Sequence, residues 1–332
     1  MRSGFPKRKV GALGAGLLLL VLLALAWMAV TPQSHFPPEP HPNGYYDFVA
    51  AGQMTSDGVE DYQDLDHASL QRLVSAHEEA CKRLREGFGR PCAVPLQHAI
   101  TNFAVWSKDL MSLKRLAKLL SAEGRLAEMD GRPGDAARSY VETLRLGNEI
   151  SRQGFLIARM VGIAIEGIGA QGLGRVLPAL NPGQTRVVIR ELENLERSRV
   201  SWQEVRRAER LFMRQELKKV SPLSWPQGLW QNWQVLVSTE SRHKSAVAKV
   251  RLLQAEAAAR CYLAEQGRAP STLQELVPQY LTRVPEDPFT GGSLFYRPQT
   301  TNWLLYSVGP DGTDDGGVRA PRGSNKGDLF WN

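Results

Sequence analysis

The sequence predicts a mainly α-helical protein with an N-terminal transmembrane helix, an extracytoplasmic all-α domain and a small C-terminal α+β domain. Three observations predict it: a charge-free apolar run at residues 10–30, apolar residues that recur every three or four positions from Leu70 onward, and two short strand-like stretches near the end. The chain has 332 residues, 42% hydrophobic and 23% charged, which excludes a disordered chain and a polytopic membrane protein. We divide it into an anchor (1–30), a proline-rich linker (31–42), an all-α domain (43–240) and an α+β domain (241–332).

The N-terminal run is long enough, at about 1.5 Å per helical residue, to cross the hydrocarbon layer of a bilayer. Four basic residues precede it and the next one is Arg72, so the positive-inside rule places the N-terminus in the cytoplasm. A cleaved signal peptide is the alternative, because Ala24-Leu25-Ala26 has the form of a cleavage site. We expect a single-pass protein of a bacterial-type inner (cytoplasmic) membrane, with its domains extracytoplasmic. The formal net charge of +7 includes those four residues, and we predict no nucleic-acid partner.

Residues 119–146 predict a helical hairpin. Small and bulky residues stand where a tetratricopeptide-type helix pair has its contacts: Gly124, Gly131, Ala136, Ala137, Tyr140 and Leu144. Residues 131–134 form the predicted turn, and Asp135 is the predicted N-cap of the second helix. Because only one such unit is clear, we expect a hairpin inside an all-α domain, and a peptide-binding repeat array is the alternative.

Three further segments of the helical part allow two interpretations each. Gly167-Ile168-Gly169-Ala170-Gln171-Gly172 fits G-x-G-x-x-G, but the preceding residues look helical, which favours close helix packing over dinucleotide binding. Residues 184–220 predict one long amphipathic helix, with a partner or membrane-surface role as the alternative. The tryptophans at 225, 230 and 233 lie in a segment that also contains two prolines. We expect this segment to form a loop packed on the core; contact of the tryptophans with a bilayer or a partner is the alternative.

The cysteines and the catalytic motifs complete this part of the chain. Cys81 and Cys92 are candidates for a disulfide; free buried thiols, or a metal site with His77 and His98, are the alternatives. The sequence contains no H-E-x-x-H, G-x-S-x-G or P-loop motif, so we predict no catalytic residue and a protein that is not an enzyme.

The C-terminal segment predicts a helix that ends at Gly267, a short helix over residues 273–280, and strands at 294–296 and 303–308. The glycine- and aspartate-rich tail at 309–317 suits a hard cation. Here the chain resembles the C-terminal globular domain of the major pseudopilin of type II secretion systems. The resemblance covers roughly 80 residues and rests on the following: Tyr262…Gly267…Pro270, Leu273-x-x-Leu276, Tyr280-Leu281, Val284-Pro285-x-Asp287-Pro288, Tyr296, and Tyr306-Ser307-Val308-Gly309-x-Asp311-Gly312.

The resemblance implies a calcium site, and calcium is the only cofactor that we expect. By position, Val308 matches the carbonyl donor, Asp311 the first aspartate, and Asp328 a later aspartate before an apolar residue. Asp314 and Asp315 are further candidate ligands, although they come sooner than the family spacing would place them. In the pseudopilin the membrane helix runs directly into this domain, whereas here a long segment intervenes. We therefore interpret the domain as a borrowed module and do not expect packing into a pseudopilus.

Together these features predict a membrane-anchored, non-enzymatic structural or interaction protein of the cell envelope, related to secretion by its C-terminal module. Its expected partners are the membrane, through residues 10–30, and envelope or secretion-system proteins. A peptide- or ligand-binding helical module is the alternative, and an envelope hydrolase is the third hypothesis.

Overall fold

The computed structural model describes residues 36–55, 59, 62–221, 224–299, 302–321, 324 and 326–332. The predicted anchor at residues 10–30 lies outside these residues, as does the start of the proline-rich linker. The membrane topology and the cytoplasmic N-terminus therefore stay predictions.

The described part of the chain is mainly helical, as predicted, with a small antiparallel sheet near the C-terminus. Its ten α-helices are α1 (Gly44–Gln53), α2 (His67–Ala76), α3 (Glu78–Phe88), α4 (Leu96–Thr101), α5 (Phe103–Met129), α6 (Pro133–Glu149), α7 (Leu156–Val176), α8 (Pro182–Arg197), α9 (Trp202–Leu217) and α10 (Trp225–Gln266). Short 3₁₀ turns lie at Tyr62–Asp64, Leu177–Ala179 and Leu273–Leu276, and the strands are β1 (Phe295–Pro298) and β2 (Trp303–Tyr306).

Helices α5 and α6 form the predicted hairpin. Gly131, with φ of 67°, makes the turn between them, and Gly124 lets the helices approach closely: a Cβ there would lie 2.8 Å from the Tyr140 ring. The prediction of Asp135 as N-cap is wrong, because α6 already begins at Pro133. Proline suits the first helical position, and Asp135 instead lies in the first turn, where its charge complements the helix dipole.

Helix α7 contains the whole G-x-G-x-x-G segment, so the predicted close packing is confirmed. A Cβ at Gly169 would lie 2.7 Å from the Tyr140 carbonyl oxygen of α6, and one at Gly172 would clash with the Tyr140 ring. Leu156–Ala179 is long and apolar enough to cross a membrane, but 56% of its apolar window is buried inside the protein. This is the packing of a core helix, and it gives only weak support to a membrane span.

The prediction of a single helix over residues 184–220 is wrong, because the helix is interrupted between α8 and α9. Asn181 begins α8 with a reciprocal capping box to Gln184, and Ser201 caps α9 by accepting from the Glu204 amide at 3.2 Å. Asn148 of α6 stabilises this interruption: its side chain donates to the Ser198 carbonyl and accepts from the Val200 amide. A tertiary contact thus replaces the helical hydrogen bonds that the break removes.

Helix α10 contradicts the prediction made for the tryptophan-rich segment. The tryptophan-rich segment is not a loop: Trp225 is the first residue of a helix of 42 residues, which ends at Gly267 as predicted. That helix also passes through the predicted domain boundary at 240. A single hydrophobic cluster joins both sides of this boundary, with members on α6, α7, α8, α10 and β2, such as Ala136, Leu173, Leu192, Leu253 and Leu305.

The C-terminal strands pair antiparallel, with Phe295 opposite Tyr306. Beyond β2, Ser307 bridges to Leu329, which returns the end of the chain to the strands. The helix predicted over 273–280 shortens to the 3₁₀ turn at Leu273–Leu276. Its continuation is prevented by Pro278, because the residue before a proline avoids helical backbone angles and Val277 is extended, with ψ of 136°.

Candidate functional site

The predicted calcium ligands lie in one loop region, but their carboxylates accept hydrogen bonds from different backbone amides. Asp311 accepts from the amides of Thr313 at 3.2 Å and Gly327 at 3.1 Å. Asp314 accepts from the Tyr306 hydroxyl at 2.8 Å and the Gly316 amide at 2.9 Å. These bonds hold the turns of the loop.

Asp328 is the best-enclosed carboxylate of the predicted set. It is 1% exposed and accepts from the amides of Asp315 at 3.3 Å and Gly317 at 2.6 Å. Burial raises its pKa above the usual value for an aspartate, although these amides oppose the rise. Val308 donates its amide to Asp287 at 3.0 Å. Asp287 is fully buried and also receives the Phe289 amide. It belongs to the Val284-Pro285-x-Asp287-Pro288 motif, and its motif position was the signal that could have indicated this structural role.

This donor arrangement does not fit a calcium ion as it stands. Calcium takes six to eight oxygens that converge at about 2.4 Å. In the part of the chain that the structure describes, no group of three or more histidine, cysteine, aspartate or glutamate side chains could hold a metal ion. The calcium site stays a prediction from the resemblance.

The cysteines adopt the buried-thiol alternative. Cys81 and Cys92 are both free and buried, so the disulfide considered for them is not formed, and the metal site with His77 and His98 is not assembled either. Cys92 instead donates its thiol to the Glu149 carbonyl at 3.4 Å. Burial raises the pKa of Cys81 to about 12, which leaves its thiol protonated and unreactive at neutral pH.

A groove of about 600 Å³ lies between α3, α6 and α8. Its apolar lining comes from Phe88, Ala137, Val141, Val187 and Val188. Val187 is 49% exposed, so this side of the groove is open to solvent. Sequence reasoning missed this groove, because its three walls are distant in the chain.

Six charged side chains border the groove, three arginines (Arg85, Arg138, Arg145) and three acids (Asp135, Glu142, Glu191). Arg85 pairs with Glu142 at 2.9 Å, and Arg145 lies over the Phe88 ring and donates to the Phe88 carbonyl at 2.6 Å. Arg138 is exposed and has no ion pair among the described residues. The rim therefore has two cations, Arg138 and Arg145, that form no ion pair among the described residues, and Arg145 is held against Phe88.

A second cluster is closed to solvent and consists of Arg159, Glu166, Arg199 and His243. Glu166 accepts hydrogen bonds from Arg159 at 2.5 Å and from Arg199 at 3.1 Å. Arg159 also donates through Nε to His243 Nδ1 at 2.9 Å. Burial alone would raise the pKa of Glu166, but the two guanidiniums outweigh it and lower that pKa to about 2. Burial, reinforced by Arg159, lowers the pKa of His243 to about 3. The cluster thus contains an ionised glutamate and a neutral histidine.

A cavity of about 180 Å³ between α7 and α10 borders this cluster. Glu166, Arg242 and Lys249 line it together with apolar residues such as Ile163 and Val250. Because Glu166 already accepts from two arginines, it is a poor general base: its proton affinity is too low at neutral pH. Two of the three charged residues of α7, at positions 159 and 166, interrupt its apolar first part, and this spacing was the signal that could have indicated the cluster.

Comparison of the chain with protein-family models, with curated proteins and with solved structures finds no match.

Proposed function

We propose that the protein is a membrane-anchored, non-enzymatic interaction protein of the cell envelope, and that its helical part binds a segment of a partner protein in the groove between α3, α6 and α8. The groove, about 600 Å³ with an apolar floor and a charged rim, is the observation that carries the proposal. Its size and composition are those of sites that receive several side chains of a peptide or helix.

The chemistry of the groove favours a partner segment with apolar side chains and at least one acidic group. The apolar side chains would pack on Val141, Val187 and Val188, while the acid would meet Arg138. The helix pair of α5 and α6 supports this reading, because α6 presents one continuous face to the groove: Gly134, Arg138, Val141 and Arg145 follow one another at helical spacing.

The envelope location rests on the charge-free run at residues 10–30 and on the C-terminal resemblance to a pseudopilin. That resemblance also motivates a secretion-related partner and a calcium ion at the loop containing Asp311 and Asp328. The non-enzymatic part of the proposal is supported by the state of Glu166: it borders the cavity between α7 and α10, but its two arginine partners keep it ionised, which makes it a poor general base.

Site-specific crosslinking tests the groove. A photoreactive amino acid replaces Val187 in the full chain, expressed in its own cells, and a second chain carries it at Met111, an exposed position of α5 that lies outside the groove lining. We expect a discrete protein adduct from position 187 and none from 111. Adding Arg138→Glu to the first chain should abolish the adduct, because the rim cation becomes an anion.

The groove proposal is wrong if position 187 gives no adduct, or if both positions give the same one. An adduct that survives Arg138→Glu would retain the groove but contradict the acidic partner. Circular dichroism of each variant checks that the helices are intact.

A further inference from the structure

The first part of helix α10 belongs to a segment without charge. From Val220 to Thr239 the sequence contains no aspartate, glutamate, lysine, arginine or histidine, although 23% of the chain is charged. Helix α10 up to residue 238 lies outside the protein core, because its first fully buried residue is Thr239. An exposed helical segment normally needs charged side chains for solubility. This segment therefore needs another explanation.

One face of the segment is accounted for by α9, which runs antiparallel to it. Trp225 donates its indole N–H to the Leu217 carbonyl at 3.0 Å, and Asn232 donates to Glu209 at 2.6 Å. Leu236 packs on a small hydrophobic cluster that includes Val205 of α9. Residues 225, 232 and 236 thus follow one stripe of α10, and α9 and α10 form a hairpin.

The other face remains open. Trp230, Trp233 and Val237 are 60%, 55% and 50% exposed. Their spacing of three and four residues places them on a single stripe, and the two indole rings stack with centroids 5.4 Å apart. We call this stripe the tryptophan ridge. Packing against α9 cannot explain it, because the contacts to α9 come from the other stripe.

The hairpin that carries the ridge is also positively charged. Arg206, Arg207 and Arg210 of α9 and Lys218 after it are exposed, and none of the four has an ion pair within the described residues. The acids of α9 are already used: Glu204 receives the Gln153 amide, Glu209 is 3% exposed and bound to Asn232, and Glu216 pairs with Lys219. Unpaired cations therefore accompany an uncharged aromatic ridge.

We infer that the hairpin of α9 and α10 contacts the surface of a bilayer that contains anionic lipids. Tryptophan favours the interface between headgroups and acyl chains, where its ring is apolar and its N–H stays hydrated. Exposed arginines and lysines next to such residues attract anionic headgroups, and this combination characterises helices that lie in the membrane interface. The predicted anchor at residues 10–30 precedes the described domain and would keep it within reach of the membrane. This surface is separate from the groove and does not depend on it.

Lipid photolabelling of the full chain tests the inference. The protein is reconstituted in phosphatidylcholine vesicles with or without phosphatidylglycerol, together with a phospholipid that carries a diazirine near its headgroup. After irradiation, tryptic peptides are analysed by mass spectrometry. Cleavage after Lys219 and Arg242 releases the ridge as one peptide, residues 220–242, and cleavage after Lys9 and Arg72 releases the predicted anchor as a second, internal reference.

We expect label on the ridge peptide, relative to the reference, to rise several-fold when phosphatidylglycerol is present. The double variant Trp230→Gln/Trp233→Gln should lose most of that label. Arg206→Glu/Arg210→Glu should lower it roughly tenfold or more, since each basic residue near an anionic surface contributes measurably to binding. The matched control Arg190→Glu/Arg283→Glu makes the same charge change on exposed arginines of α8 and of the loop before β1, outside both the hairpin and the groove, and should leave the label unchanged.

The inference is overturned if the reference peptide is labelled and the ridge peptide is not, or if the hairpin and control variants behave alike. It is also overturned if the ridge peptide crosslinks to a second copy of the chain or to another protein in place of lipid. All substitutions are at exposed positions, and we expect them to leave thermal unfolding unchanged. A loss of label in a variant with unchanged unfolding then reflects lost contact with lipid. The groove proposal stands or falls separately, on the adduct from position 187.

Discussion

Arg159 donates from Nη1 to Glu166 Oε1 at 2.5 Å across two turns of helix α7, and neither side chain is more than 2% exposed. A charge pair in the interior is tolerated only when its partners and hydrogen bonds compensate for lost hydration. Here Arg199 and His243 supply that compensation from a loop and from α10. The pair thus joins three separate parts of the chain, and its removal should affect the whole fold.

We expect Arg159→Met to reduce the free energy of unfolding by about 3 kcal/mol or more, because Glu166 would keep only one of its two arginines while remaining buried. The exposed Arg132, which pairs with Asp130 and Asp135 at the surface, is the control: Arg132→Met should cost about 1 kcal/mol or less. Urea unfolding followed by circular dichroism measures both. Equal effects of the two substitutions would contradict the burial argument.

The neutral His243 predicts a stability that falls with acid. Its pKa is about 3 in the folded protein, against a usual value of 6.5, so below pH 6.5 the unfolded chain binds a proton that the folded protein does not. Stability should therefore decrease from pH 6.5 toward pH 5, by on the order of 1 to 2 kcal/mol from this group. His243→Gln, which retains an acceptor for Arg159, should show a shallower decrease. Parallel slopes for both proteins would refute the assignment. Glu166 contributes in the same direction only below its usual pKa of 4.5.

Two glycines of α7 separate helix packing from helix propensity. Gly172→Ala would press a methyl group into the Tyr140 ring and should destabilise the protein by about 1 to 3 kcal/mol. Gly167→Ala meets no atom within 4 Å and should stabilise it by about 0.5 to 1 kcal/mol, since alanine is the better helix former. Thermal unfolding with and without NAD provides the test. A nucleotide-dependent rise in the wild type would support the fingerprint reading that the helix contradicts.

Asp328→Ala should lower stability by about 1 to 3 kcal/mol even in a chelator, because two backbone amides lose their acceptor. Asp315→Ala, on an exposed neighbour, should change it little. Unfolding of both variants in calcium and in chelator also tests the prediction that the pseudopilin resemblance implies. A calcium-dependent increase that Asp311→Ala and Asp328→Ala each remove would establish the metal site.

The sequence predicted features that depend on neighbours in the chain. The hairpin of α5 and α6, the close packing of the α7 glycines and the end of α10 at Gly267 all follow from local spacing and glycine chemistry. The two strands were found for the same reason. The anchor at residues 10–30 and the calcium ligands stay predictions.

Features that depend on distant residues were missed. The break between α8 and α9 is held by Asn148, some 50 residues earlier, and no local pattern indicates it. The prolines at 222 and 226 suggested a loop, but a proline at the first turn of a helix is compatible with α10 beginning at Trp225. The groove and the buried cluster likewise combine helices that only the fold brings together.

The length of α10 has a mechanical consequence. Its 42 residues make a rod of about 63 Å at about 1.5 Å per residue, with the tryptophan ridge near one end and the hydrophobic core around the other. No loop lies between these ends to absorb movement. A tilt imposed on the exposed end is therefore transmitted as a lever to the packed end, where α7, α8 and the C-terminal strands must move with it or resist it.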